Sequence, residues 1–86
     1  MFRLELSRDA SRFVKKLDPK NKKRVTNALL EIAESPLQAS NIKKLTNYNL
    51  YRKRLGDIRI IYEIFDDELI VYVVRIGNRG QIYRNL

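Results

Sequence analysis

Glu68 to Ile76 reads ELIVYVVRI, and this stretch limits the fold more sharply than any other in the chain. Side chains alternate between the two faces of a strand, yet here both alternating sets are mainly apolar. Such a strand must be covered on both sides, which predicts a central place in a sheet. Two stretches before it supply neighbours. Leu50–Leu55 and Ile58–Phe65 read as strands, and the dipeptides Gly56-Asp57 and Asp66-Asp67 mark the turns of successive hairpins. The C-terminal half is therefore expected to be a three-stranded meander. In its middle strand Ile58, Ile60, Tyr62 and Ile64 share one face, while Arg59, Ile61 and Glu63 share the other. The first set calls for a covering layer.

That layer is helical. Phe2–Leu6, FRLEL, alternates apolar and polar residues and reads as a first strand. Ser7 then suits a helix N-cap, because its hydroxyl can accept a bond from an otherwise unpaired backbone N–H. Ala10, Phe13, Val14 and Leu17 follow at helical spacing as one apolar stripe. Asp18 is a second cap, with Pro19 at the first helical position, where no N–H is needed. Val25, Ala28, Leu29, Ile32 and Ala33 continue the stripe until Ser35-Pro36, since the residue before proline is pushed out of the helical region. Pro36 to Asn49 is polar, with Leu37, Ile42 and Leu45 as scattered anchors, and is expected to be a loop. The tail GNRGQIYRNL reads as loop or a short final strand. The expected fold is α+β: strand, helix, helix and a three-strand meander, an antiparallel-rich sheet with a helical hairpin on one face. With 86 residues the chain has room for one core, so residues 1–86 are expected to form one domain.

Composition removes several kinds of chemistry. The chain has no cysteine and no histidine, so disulfides, thiolate attack and the commonest general base and metal ligand are all out of reach. No apolar run approaches the ~20 residues of a membrane span, and MFRLELSRDA lacks the apolar core of a signal peptide. The cytoplasm is the expected location. A net charge of +8 on so small a chain suits either a polyanion partner, with nucleic acid ahead of a membrane surface or an acidic protein, or general solubility alone.

The placement of that charge is more telling. Arg52 and Arg54 lie two apart on one strand and so share a face, and Arg59 can join them across the hairpin. Like charges gathered on one sheet face repel. Pairing with Glu63 or splaying into solvent would relieve them, but few acids lie nearby. A set of planar guanidinium groups is better matched to phosphate, which each can grip through two parallel hydrogen bonds. The tail adds Arg79 and Arg84. Lys22 and Lys23, with Lys15, Lys16, Lys20 and Arg24, form either a solvated helix face or a patch that tracks phosphates; Lys43 and Lys44 admit the same two readings. Tyr62 and Tyr72 are expected in the core. Tyr83, between polar neighbours, can pack on the sheet edge, stack on a base or orient a hydroxyl.

LYRKRLGDIRIIYEI followed by VYVVRIGNRGQIYR resembles the signature half of the RelE-type toxins of the RelE/ParE superfamily, and the order of elements is similar along nearly the whole chain. The resemblance implies a toxin of a type II toxin–antitoxin system. It would be an endoribonuclease that cuts messenger RNA on the ribosome and is silenced by a cognate antitoxin, with no membrane role. By motif position it implies Arg52, Arg54, Arg59, Arg79 and Tyr83 as catalytic residues, with Lys22, Lys23, Lys43 and Lys44 as RNA contacts. The implied reaction is attack of a ribose 2′-hydroxyl on the adjacent phosphorus, leaving a 2′,3′-cyclic phosphate, with no metal and no cofactor. Four positions depart from the pattern. Arg52 and Arg54 stand where some relatives carry lysine, Asn78 where many carry histidine, and Lys53 at a strand position usually apolar. Arginine does not give up its proton in practice, so Arg52 and Arg54 would act by electrostatics alone. Lys53 is expected to snorkel at a sheet edge. A long C-terminal helix is not apparent. The same resemblance also admits a ParE-like toxin that poisons DNA gyrase, or a catalytically degenerate binding module, although an intact arginine set favours the nuclease.

Overall fold

The computed structural model describes residues 1–45 and 49–78. In chain order the elements are β1 (Arg3–Leu6), α1 (Arg8–Lys15), α2 (Pro19–Glu34), β2 (Ile42–Lys44), β3 (Tyr51–Leu55), β4 (Ile58–Phe65) and β5 (Ile70–Asn78). The strands form one mixed sheet in the order β1-β5-β4-β3-β2. β1 runs parallel to β5, and the remaining neighbours are antiparallel. The α+β architecture expected from the pattern is the one observed.

Both helices begin where their caps require. Ser7 Oγ accepts from the Ala10 N–H at 3.1 Å, and Asp18 accepts from the Asn21 N–H at 3.3 Å and its side-chain amide at 2.8 Å. These bonds hold the Asp18 carboxyl below its usual range. Ser7 has a second task. Its hydroxyl donates to the Val74 carbonyl at 2.6 Å, at the point where the β4–β5 register shifts from Ile61↔Arg75 to Tyr62↔Val73. Val74 is the extra residue of that bulge, so the first helix cap also pins an irregularity in β5.

The core lies between the helices and one sheet face. Ala10, Val25, Ala28, Leu29 and Ile32 meet Ile58, Ile60, Tyr62, Val71, Val73 and Ile76 there. Tyr62 is wholly buried, and its hydroxyl donates to the Pro36 carbonyl at 2.6 Å, tying the end of α2 to the middle of the sheet. Burial pushes its phenol well above the ordinary tyrosine range. Tyr51 stacks on it, with ring centroids 5.8 Å apart.

Three expectations need correction. The Pro36–Asn49 segment is not all loop: Ile42–Lys44 forms an edge strand paired with Tyr51–Lys53. Its three residues have no usable apolar period, and pairing rather than propensity creates it. The strand expected at Glu68–Ile76 runs from Ile70 to Asn78, because Asp66 to Leu69 are used in the turn. That strand is interior, between β1 and β4, whereas β4 holds the middle of the sheet.

Candidate functional site

The hairpin between β3 and β4 fixes the arginines. Leu55 pairs with Ile58, which leaves Gly56 and Asp57 as a two-residue turn, and Gly56 has a φ of +62°. A glycine adopts that left-handed conformation without the Cβ clash other residues suffer. With the turn so defined, Arg54 stands directly opposite Arg59 and Arg52 opposite Ile61. Alternation then puts Arg52, Arg54, Arg59 and Ile61 on one sheet face, turned away from the helices. The next strand outward adds Lys43, which pairs with Arg52, while Lys44 pairs with Tyr51 on the opposite face. On the other flank Gly77 is opposite Arg59, so no side chain from β5 competes there.

Burial differs along this face. Arg54 is exposed, Arg52 is half-buried and Arg59 is only 8% exposed. Nη1 of Arg59 donates to the Gly56 carbonyl at 2.6 Å and to the Ile58 carbonyl at 3.3 Å. A guanidinium carries five N–H donors, so Nη1 can anchor the group beneath the turn without using the Nε and Nη2 hydrogens. Arg59 is thus an anchored charge and Arg54 an exposed one beside it. Ion pairs among the described residues include Arg3–Glu5, Lys53–Glu31 and Arg75–Asp9. Several guanidinium donors thus share the face, and the arrangement can bind an anion through them.

The sequence-derived residues separate into groups. Arg52, Arg54, Arg59 and Lys43 come together, with Lys44 beside them on the edge strand. Lys22 and Lys23 are exposed on α2, which covers the opposite side of the sheet. They do not join the arginine face. Arg79 and Tyr83 lie outside the described residues.

Lys53 departs from expectation. It is 3% exposed and does not snorkel to solvent; its Nζ donates to Glu31 of α2 at 2.6 Å and to the Ser40 carbonyl at 2.6 Å. The ammonium beside it holds the Glu31 carboxyl below its usual range. Glu31 carried no mark in the sequence, being one more polar residue next to the α2 stripe. Arg75 also went unremarked, although a charge inside ELIVYVVRI was a signal available to be read. Its Nη2 lies 3.6 Å from Asp9 on α1, alongside a groove of about 300 Å³ that Arg12 and Phe13 also line.

Comparison with known proteins identifies the family and the fold. Residues 4–83 match the family model described as ParE toxin of type II toxin-antitoxin system, parDE. The chain is similar to the mRNA interferase toxin RelE of Escherichia coli K12, 24% identical over 66 residues that cover 76% of this chain and 70% of that one. It is also similar to the putative toxin RelE1 of Methanocaldococcus jannaschii, 26% identical over 87 residues, covering 98% and 97%. Among solved structures it resembles a chain of the intact E. coli RelBE toxin–antitoxin complex, with a TM-score of 0.78, 25% identity, and coverage of 91% of this chain and 96% of that one.

Proposed function

We propose that this chain, which belongs to the ParE toxin family of type II toxin–antitoxin systems, is a RelE-type toxin that cleaves messenger RNA on the ribosome in the cytoplasm. One observation carries the reading: Arg52, Arg54 and Arg59 share one sheet face, with Arg54 directly opposite Arg59 and the Arg59 guanidinium anchored at the Gly56 carbonyl. Gathering like charges on one face is useful where a phosphodiester will occupy the space between them. The similarity to the mRNA interferase toxin RelE supports the same substrate class.

In the reaction the 2′-oxygen attacks phosphorus, the bond from phosphorus to the 5′-oxygen breaks, and a 2′,3′-cyclic phosphate remains. The 2′-hydroxyl loses its proton and the departing 5′-oxygen gains one. Negative charge builds on the phosphorane oxygens, where Arg59, held by the turn carbonyls, and Arg52 and Arg54 donate. None of these guanidinium groups serves as a base. Alignment of the 2′-hydroxyl with the scissile bond is the other requirement, and the ribosomal decoding site would provide it. Arg79 is assigned to the leaving group and Tyr83 to orienting or stacking. Lys43 extends the contact along the RNA backbone, and Lys44, pointing the other way on the edge strand, would reach backbone that rounds that edge; Lys22 and Lys23, on the far side, would reach only a second, separate stretch of nucleic acid. The antitoxin reading follows from solved relatives seen as toxin–antitoxin complexes.

Brief induction followed by mapping of transcript 5′ ends tests the proposal. New ends should appear inside coding regions under translation, and blocking initiation should suppress them. Purified protein should cut naked RNA poorly. The matching family model is that of ParE toxins, which supports a second reading as a DNA gyrase poison. Intact transcripts accompanied by DNA breaks and a repair response would establish that reading and refute the nuclease.

A further inference from the structure

Behind the arginine face lies a cation that this chemistry does not use. Lys53 stands between Arg52 and Arg54 in β3 but points to the helix side of the sheet. Its Nζ donates to Glu31 Oε1 and to the Ser40 carbonyl, both at 2.6 Å, and lies 3.5 Å from the Ser40 hydroxyl. That hydroxyl donates in turn to Glu31 at 3.3 Å. A single ammonium, with its three donors, therefore joins α2, β3 and the segment entering β2. The next residue, Asn41, takes a left-handed φ of 61° and accepts from the Arg54 N–H at 3.0 Å. From Asn41 the chain passes directly into Ile42–Lys44, a strand of three residues at the edge of the sheet.

An ion pair with one partner buried is a poor device for stability alone, because a well-packed apolar residue often does as well or better at the buried position. Its bonds are directional, however, and an apolar side chain at position 53 would fill the space without holding a carbonyl. The ladder to β3 and the Arg54–Asn41 bond pair so short a strand, and Lys53 adds the tie from the segment entering it to α2. We propose that Lys53 is a positioning residue. By holding Ser40 and Glu31 it places β2 so that Lys43 stands beside Arg52 and the anion-binding face extends to the sheet edge. The inference rests on the RNA reading above and assigns a role to a residue that touches no RNA.

The test is binding of a single-stranded 2′-O-methyl RNA oligonucleotide, which has no free 2′-hydroxyl and is not cleaved, measured across a range of salt. The slope of log affinity against log salt reports phosphate contacts, at ~0.7 per contact for single strands. Lys43→Ala/Lys44→Ala should make that slope shallower by up to about 1.4, two contacts' worth. Lys53→Met, which keeps length and bulk, should produce much of the same loss, and combining it with the lysine pair should add nothing. Amide exchange at Ile42–Lys44 should quicken about tenfold in Lys53→Met while β4 amides keep their protection. Glu31→Ala, at a half-exposed helix position, provides the second variant should Lys53→Met fail to fold, and it should shift slope and exchange in the same direction. Glu31→Gln, which retains an acceptor, should recover most of the slope. A shallower slope in the lysine pair, with slope and exchange unchanged in Lys53→Met and Glu31→Ala, would overturn the inference and leave the RNA reading standing. An unchanged slope in the lysine pair itself would remove β2 from the RNA surface, and the inference with it.

Discussion

Arg54→Gln should make the protein more stable and less active. Arg54 is exposed and pairs directly with Arg59, whose guanidinium is held beneath the turn by the Gly56 carbonyl 2.6 Å away. Taking the two charges as about 6–7 Å apart, Coulomb's law gives a repulsion of about 0.6 kcal/mol in water and about 2.5 kcal/mol at an effective dielectric of 20. Screening at 0.1 M salt, where the Debye length is ~10 Å, roughly halves either figure. Little packing is lost on removing an exposed charge, and glutamine keeps part of the stem. The net expectation is a gain of about 0.5–1 kcal/mol, or roughly 2–8 °C in Tm for a domain of this size.

Thermal unfolding followed by circular dichroism at 0.02 M and 1 M salt measures it. At 1 M the Debye length is ~3 Å, so the difference between wild type and variant should nearly vanish. Cleavage on the ribosome should fall by about 10²-fold or more, the usual scale for removing one donor to a developing oxyanion. Arg59→Gln provides the contrast. It relieves the same repulsion but sacrifices the bonds to the Gly56 and Ile58 carbonyls from a side chain that is nearly buried, so it should lower Tm. A fall in Tm for Arg54→Gln, or a gain that persists undiminished at 1 M salt, would refute the claim that these charges oppose each other across the hairpin.

Tyr62→Phe should cost about 1–2 kcal/mol, because the buried Pro36 carbonyl loses its donor; chemical denaturation should show a lower midpoint with an unchanged slope. Leu69 is 57% exposed and holds a φ of 55°, so Leu69→Gly should relieve about 1 kcal/mol of left-handed strain and raise Tm. The Glu31 carboxyl, lowered in the folded state from its ordinary 4.5, contributes stability that is present above that value and is lost as pH falls through the lower folded one. Unfolding curves taken between about pH 6 and pH 3 should therefore show Glu31→Gln losing less Tm than the wild type on acidification.

What could be read from the sequence is what local chemistry dictates. Caps at Ser7 and Asp18, the proline stop at Pro36 and the glycine turn at Gly56 act within a few residues of themselves, and each did so in the fold. The arginine face was legible for the same reason, since a two-residue turn and an alternating strand leave one register. β2 was not legible. Its residues, Ile-Lys-Lys, have no strand pattern, and a partner in β3 together with a bond from Arg54 creates it. Nor could the fate of Lys53 be read, because its acceptors lie 22 and 13 residues away in sequence.

Lys53 also explains how a strand with three adjacent cations can hold its register. Pleating sends Arg52 and Arg54 to one face and Lys53 to the other, so only one charge enters the helix side, and it meets a carboxylate there. A slip of β3 by one residue would reverse every side chain. Two guanidinium groups would then press against α2, with Glu31 as the only acid within the Lys53 cluster to receive them, while Tyr51 and Leu55 would turn out towards the anion-binding face. An uncompensated buried charge costs several kcal/mol, far more than the repulsion between Arg54 and Arg59 that the native register accepts. The charge pattern that weakens the arginine face is thereby the pattern that forbids the nearest wrong pairing. Replacing Lys53 with an apolar residue lowers the barrier to correct burial without lowering the penalty for the slipped register, so Lys53→Met should loosen β2 while β3 and β4 remain in register.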